Sequence, residues 1–244
     1  MSKLDDFMGL LLGSFDNREQ FEAKKATGEP FPLARHVNTA CNDKILNLPA
    51  DFSGVFMVEE SYYEIDGKSS SSPHLFLFTE EQDGILLTSY DAPEGNDKRT
   101  LSYRTMVPAQ YASLKKSRKF EPALYRERDG IWEGGSDSMF TPTMKFRLFE
   151  RFSDDALEVV ETMEVNGRRV FGFDDPIVYR RVKGWAQVSK ESVFLSPILT
   201  SFACSMSPSH APNVRRYSWQ RRTGSTRAGS IKRDTFPALC LCLA

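Results

Sequence analysis

Residues 157–173 read LEVVETMEVNGRRVFGF, two β-prone runs either side of Asn166-Gly167. An Asn-Gly pair suits a tight hairpin, because both turn positions want positive φ. The stretch therefore predicts strands over 157–165 and 168–173, and a last strand over 177–182 follows Pro176. Upstream, residues 139–152 carry a strand pattern interrupted by Pro142. Residues 54–65 (GVFMVEESYYEI) are rich in β-branched and aromatic side chains, which favour strands. Residues 74–79, 84–90 and 100–106 read as further strands, the first opened by Pro73 after a loop at Asp66-Gly67 and Ser69 to Ser72, with turns at Asp83-Gly84 and Gly95-Asn96. Residues 108–119 read as a short helix or an irregular connection.

Strands so closely spaced leave no room for parallel crossovers, which need a dozen or more residues. Eight to ten short antiparallel strands lose their exposed edges by closing into a barrel or folding into a sandwich. Periodicity does not separate the two; the barrel is favoured. The N-terminus departs from this pattern. Leu4, Phe7, Met8, Leu11, Leu12 and Phe15 recur at spacings of three and four and predict one amphipathic helix, capped by Ser2, at the mouth or flank of the barrel. Residues 16–25 continue that helix or begin another turn. The expected class is all-β with one N-terminal helix.

The chain has 244 residues, 40% hydrophobic and 27% charged, as an ordinary globular protein does. No apolar run reaches the roughly 18–20 residues that span a bilayer, so no membrane partner is expected. Asp5 and Asp6 stand where a secretory signal would be basic. The net charge of −1 hides an asymmetry. Residues 184–244 hold eight Lys and Arg against Glu191 and Asp234, whereas residues 1–183 hold 24 basic and 31 acidic side chains. The tail is serine-rich with no sustained apolar period, and reads as a disordered extension or a basic, redox-sensitive tail. The expected organisation is a barrel over 1–183 and a low-complexity basic tail over 184–244.

Chemistry-bearing motifs are few. The chain lacks both the G-x-G-x-x-G and the P-loop pattern, so a nucleotide site is unsupported, and no nucleic-acid partner is expected. Cys41, His36 and His74 are too few for a structural zinc site in the barrel region, so no metal is expected. A Ser-His-Asp hydrolase stays open on composition, but no G-x-S-x-G elbow occurs. Binding within the barrel is the productive hypothesis, since such barrels hold small apolar ligands in the mouth with a few polar groups fixing orientation. Glu59 and Glu60 point to opposite faces of one strand, so only one faces the interior. Tyr62 and Tyr63 read as strand aromatics or ligand-stacking groups, His36 and His74 as structural histidines or ligand contacts, and Trp132 as a core or lid residue. Asn17, Arg18 and Gln20 either tie the helix end to the barrel or touch ligand.

Several segments fall in a meaningful order: LLGSFDNREQ at 11–20, FPLARHV at 31–37, GVFMVEESY at 54–62, a proline at 73, NGRRVFG at 166–172 and PIVYR at 176–180. This order resembles the CpcT/CpeT-type phycobiliprotein lyases over about residues 4–183. In that family a helix ending in G-x-F-x-N-x-x-Q precedes a short HI strand and a G-x-x-L-Y-x-E-Q-x-Y strand. The resemblance implies an antiparallel calycin (lipocalin-like) barrel and an open-chain tetrapyrrole (bilin) as substrate, with no further cofactor. It implies attachment of the bilin to a cysteine of a phycobiliprotein β subunit, a possible homodimer, and a cytoplasmic or plastid setting. Glu60 stands at the family's Gln and is the candidate catalytic residue. Asn17, Arg18, Gln20, His36, Glu59, Tyr62, Tyr63, His74 and Trp132 are the candidate ligand contacts. An alternative is a non-catalytic carrier of a bilin or another apolar ligand. The chain departs from the family's P-Y-R-x-R strand, reading Pro73-His74-Leu75-Phe76-Leu77, and so lacks the arginines expected to clamp the propionates.

Overall fold

The computed structural model describes residues 2–182. The expectations for residues 184–244, with Cys204, Cys240 and Cys242, lie outside the described residues. In chain order the elements are α1 (Lys3–Leu11), β1 (Gly13–Asp16), α2 (Arg18–Ala26), β2 (Leu33–Ala40), β3 (Ile45–Leu46), β4 (Val55–Ile65), β5 (Lys68–Glu81), β6 (Gly84–Tyr90), β7 (Ala109–Gln110), β8 (Ala123–Arg128), β9 (Ile131–Thr141), β10 (Met144–Phe152), β11 (Leu157–Val165), β12 (Arg168–Phe171) and β13 (Ile177–Arg181).

Ten strands close into an antiparallel barrel in the order β10-β9-β8-β6-β5-β4-β2-β1-β13-β11, with β11 pairing back onto β10. The calycin-like all-β architecture is therefore present. The β11–β12 hairpin turns at Asn166-Gly167, both at positive φ. β12 and β13 share one edge of β11, which pairs with β13 through Leu157–Val159 and with β12 through Met163–Val165.

The sequence reading needs correction in several places. Residues 100–106 form turns rather than a strand, and their Leu101 and Met106 are buried in a second cluster on the outer face of β4 and β5. Phe15 belongs to β1, not to the helix, and the chain resumes helix as a separate α2. β8 and the first half of β9 were hidden by polar and glycine-rich sequence. A Cβ on Gly134 would lie 2.3 Å from the Leu124 carbonyl oxygen, and one on Gly135 2.0 Å from that of Leu148. Only glycine permits so close an approach of neighbouring strands. Ser69 to Ser72 are strand rather than loop, and Pro73 lies inside β5, not at its start, past the end of the β5–β6 ladder, where a missing N–H costs little.

One end of the barrel is plugged. A capping box starts α1: the Ser2 Oγ accepts from the Asp5 N–H at 3.1 Å, and the Asp5 carboxylate accepts from the Ser2 N–H at 3.0 Å. Its last turn has no basic residue of its own. Arg181 of β13 supplies that charge, donating to the carbonyls of Leu10 at 2.7 Å and Gly9 at 3.1 Å. The apolar stripe Leu4, Phe7, Met8 and Leu11 faces the barrel interior. Phe7 sits in an aromatic socket, its ring centroid 5.0 Å from Trp132, 4.9 Å from Phe152 and 5.4 Å from both Phe78 and Tyr125.

Candidate functional site

Alternation along the strands decides what the interior contains. β4 turns Met57, Glu59, Ser61 and Tyr63 inward, while Phe56 and Val58 pack in the outer cluster. β10 turns in Phe146, Leu148 and Glu150, and β11 Val159 and Glu161. Each of these three strands interrupts an apolar row with one glutamate. β2 adds His36, with Asn38 one step deeper, and β5 adds His74.

These side chains line two adjoining cavities. The deep one, about 40 Å³, lies under Leu11 of α1 and is edged by His36, Glu59, Glu150 and Glu161. The other, about 90 Å³, reaches the far end of the barrel and is bordered by Tyr63, Ile65, Ser70 to Ser72, Phe171 and Phe173. His74, Phe146, Val159 and Glu161 line both, so the two form a stepped cleft from mouth to plug. Neither lining includes a lysine or arginine. An aromatic wall flanks His74: the Phe76 ring stacks on it at 5.4 Å and Phe120 meets it edge-on at 6.0 Å.

The acids are held in different states. The Glu59 Oε2 lies 3.5 Å from the His36 Nδ1, and its Oε1 accepts from the Ser61 hydroxyl at 2.9 Å. Burial pushes the Glu59 pKa up, but the neighbouring imidazole outweighs it and brings the carboxyl down to about 2. Burial would lower the His36 pKa, yet the Glu59 charge reverses the sign and raises it. Burial, assisted by the Glu59 charge, lifts both Glu150 and Glu161 to about 7. The Tyr125 hydroxyl donates to the Glu150 Oε2, and the Glu161 pKa is tempered by His36 and the Tyr63 hydroxyl. His74 is held neutral by burial, its Nε2 3.1 Å from the Ser72 Oγ. The site thus contains one fixed anion beside an imidazole and two carboxyls poised to titrate near neutral pH.

Of the residues named from sequence, the structure brings His36, Glu59, Tyr63 and His74 together around the cavities. Glu60 and Tyr62 lie on the outer face. The Tyr62 hydroxyl donates to the Glu60 Oε2 at 2.7 Å, and the Arg35 guanidinium sits 4.5 Å over the Tyr62 ring. The inward acid of the pair is therefore Glu59. Asn17 bridges backbone, donating to the Pro32 carbonyl at 2.9 Å and accepting from the Ala34 N–H at 2.8 Å. Gln20 ties α2 to β13 through Pro176 and Val178, each at 2.8 Å, and Arg18 stays at the surface beside Asp16. Trp132 belongs to the aromatic socket at the plugged end. Leu75 and Leu77 face the outer cluster, so arginines there would not have reached the cavity.

Glu150, Glu161, Tyr125 and Tyr179 were missed from sequence. The signal was present in the rows 146-148-150-152 and 157-159-161-163, each an acid set among apolar residues at period two. Among the described residues no group of three His, Cys, Asp or Glu side chains is arranged to hold a metal ion, and no helix is long and apolar enough to cross a membrane. Searches against protein-family models and curated proteins returned no match for this chain.

Proposed function

We propose that the protein is a ligand-binding barrel of calycin type, that its ligand is an open-chain tetrapyrrole, and that it holds this bilin for transfer to a cysteine of a phycobiliprotein β subunit. The observation carrying this reading is the stepped cleft, with aromatic walls and carboxyls in its inner part. Pyrrole N–H groups are donors, and Glu59, Glu150 and Glu161 offer acceptors in a site of low polarity, where such bonds are strong. With no basic residue in the lining, the two propionates belong outside the mouth, in water. Cys41 is fully buried, and burial pushes its thiol up to about 12, so it is no nucleophile. The thioether then forms directly on the acceptor: its sulfur bonds the bilin ethylidene carbon and its proton goes to the adjacent ring carbon. The barrel contributes by fixing one reactive geometry.

Titration with phycocyanobilin tests the reading. A red or blue absorbance shift saturating at micromolar bilin is expected, followed by a covalent adduct once a phycobiliprotein β subunit is added. Absence of a spectral shift would refute it. A shift without adduct formation would leave a non-catalytic carrier. The small volumes, about 90 and about 40 Å³, favour as second reading a carrier of a smaller ligand, since a cavity near 150 Å³ accepts benzene. Native mass spectrometry of the protein as isolated would reveal such a molecule.

A further inference from the structure

We propose that the deep chamber receives an organic ammonium: the ligand class is an apolar molecule ending in a protonated amine, its cation among Glu59, Glu150 and Glu161 and its apolar body toward the mouth. The inference rests on the cleft being a binding site, but not on the ligand being a tetrapyrrole.

Three observations carry it. First, the hydrogen-bonding capacity left over in the chamber is acceptor capacity. Ser61 and Tyr125 donate to Glu59 and Glu150, and apart from the Ser89 and Ser136 hydroxyls and the His36 and His74 imidazoles the polar groups of the lining are carboxyls, with Glu121 at an exposed position. Second, buried polar atoms beside the chamber stand without partners. His36 is 3% exposed; its Nδ1 lies 3.5 Å from the Glu59 carboxylate and its Nε2 has no hydrogen bond. The Asn38 Oδ1 is also unpaired, its amide nitrogen being spent on the Leu11 carbonyl at 2.9 Å. Buried polar groups are nearly always satisfied, so the unfilled Asn38 Oδ1 marks a place for a donor. Third, no lysine or arginine lines the chamber, and of its acids Glu59 alone has an ion-pair partner there, the His36 imidazole. A primary ammonium brings three donors and one positive charge, and meets all three conditions. A carboxylate ligand meets none and would be repelled. The apolar half of the cleft, with Tyr63, Phe146, Val159 and Phe171, suits an aromatic or short aliphatic body.

The charge state of the floor adds a signature. Glu150 faces Glu59, His36, Tyr125 and Glu161 across the barrel, and Glu161 faces Tyr63 and Tyr179 as well. Loading a cation draws protons off Glu150 and Glu161, both near 7 when empty. An alkylammonium, with pKa about 10, keeps its own charge through this range. Its affinity is expected to rise about tenfold between pH 6 and pH 8 for each carboxyl that must ionise.

The test uses the full chain and two probes of opposite charge on the same phenethyl body, phenethylamine and 3-phenylpropionate, in calorimetric titrations at pH 6 and pH 8. Saturable 1:1 binding of the amine, tighter at pH 8, is expected, with the carboxylate at least about tenfold weaker. Glu161→Gln and Glu150→Gln are expected to weaken the amine about tenfold each, in the range of a charged hydrogen bond. The wild-type comparison decides even if a variant fails to fold. Equal binding of the two ligands, or none of the amine at millimolar concentration, overturns the inference. Phycocyanobilin binding without amine binding overturns this inference alone, whereas the reverse result overturns the tetrapyrrole reading alone.

Discussion

Glu59, Glu150 and Glu161 share one interior, yet burial and partners set them apart. Glu59 keeps its charge because His36 is beside it, whereas burial, assisted by the charge on Glu59, makes the other two hold their protons more tightly. For Glu150 and Glu161 the folded pKa is about 7 against an ordinary 4.5. The folded state then binds protons more tightly than the unfolded one. Their contribution to stability is full below about 4.5 and lost as pH rises through about 7. His36, also raised, adds in the same direction. Glu59, held at about 2, acts oppositely and only under strong acid, its contribution being lost as pH falls from about 4.5 through 2. The empty barrel is therefore expected to melt at falling temperature between pH 5 and pH 8, by about 3 kcal/mol per raised carboxyl at most. Thermal melts across that range check this, and Glu161→Gln should flatten the slope. A midpoint independent of pH would show that these carboxyls are solvated. Only Glu59 of the three was legible in the sequence. Period two tells that neighbours such as Glu59 and Glu60 face apart, but not which faces in; that depends on what covers the outer face, here the turns around Leu101 and Met106.

The elements owe their places to a few local devices. α1 is short, and an isolated helix of nine residues is marginal in water. Its stability comes from the Ser2–Asp5 capping box, the Arg181 contacts at its other end and the burial of Phe7. Phe7→Ala is expected to destabilise the barrel by about 3–5 kcal/mol, the usual result of emptying an aromatic site in a core. Urea unfolding of the variant measures it, and a change below 1 kcal/mol would mean that α1 is not the plug. The apolar stripe of α1 and the Asn-Gly hairpin were readable because each rests on neighbours three, four or two positions away. β8 and the first half of β9 were not, since Arg126 to Arg128 and Gly134-Gly135 carry no strand propensity of their own. They are strands because β6 and β10 flank them, which is tertiary context overriding local preference.

At the scale of the molecule, the barrel separates two apolar clusters. One lies inside, from α1 to Ile177 and Tyr179, and the other outside, on β4 and β5. The cleft is what remains of the interior once α1 fills one end. Strand number and spacing left a barrel or a sandwich, with the barrel favoured, because both remove exposed edges; the width of the cleft depends on side-chain packing between strands distant in sequence. Ser70 stands at the mouth, part-exposed, paired with Tyr63 across β4 and β5. A Ser70→Trp substitution closes the mouth without touching the carboxyls at the floor. Absorbance titration of this variant with phycocyanobilin, beside the wild type, tests most directly whether the ligand enters the barrel. An affinity reduced at least about tenfold, with the fold retained, is expected. A wild-type binding curve would contradict it and place the ligand on the outside of the strands.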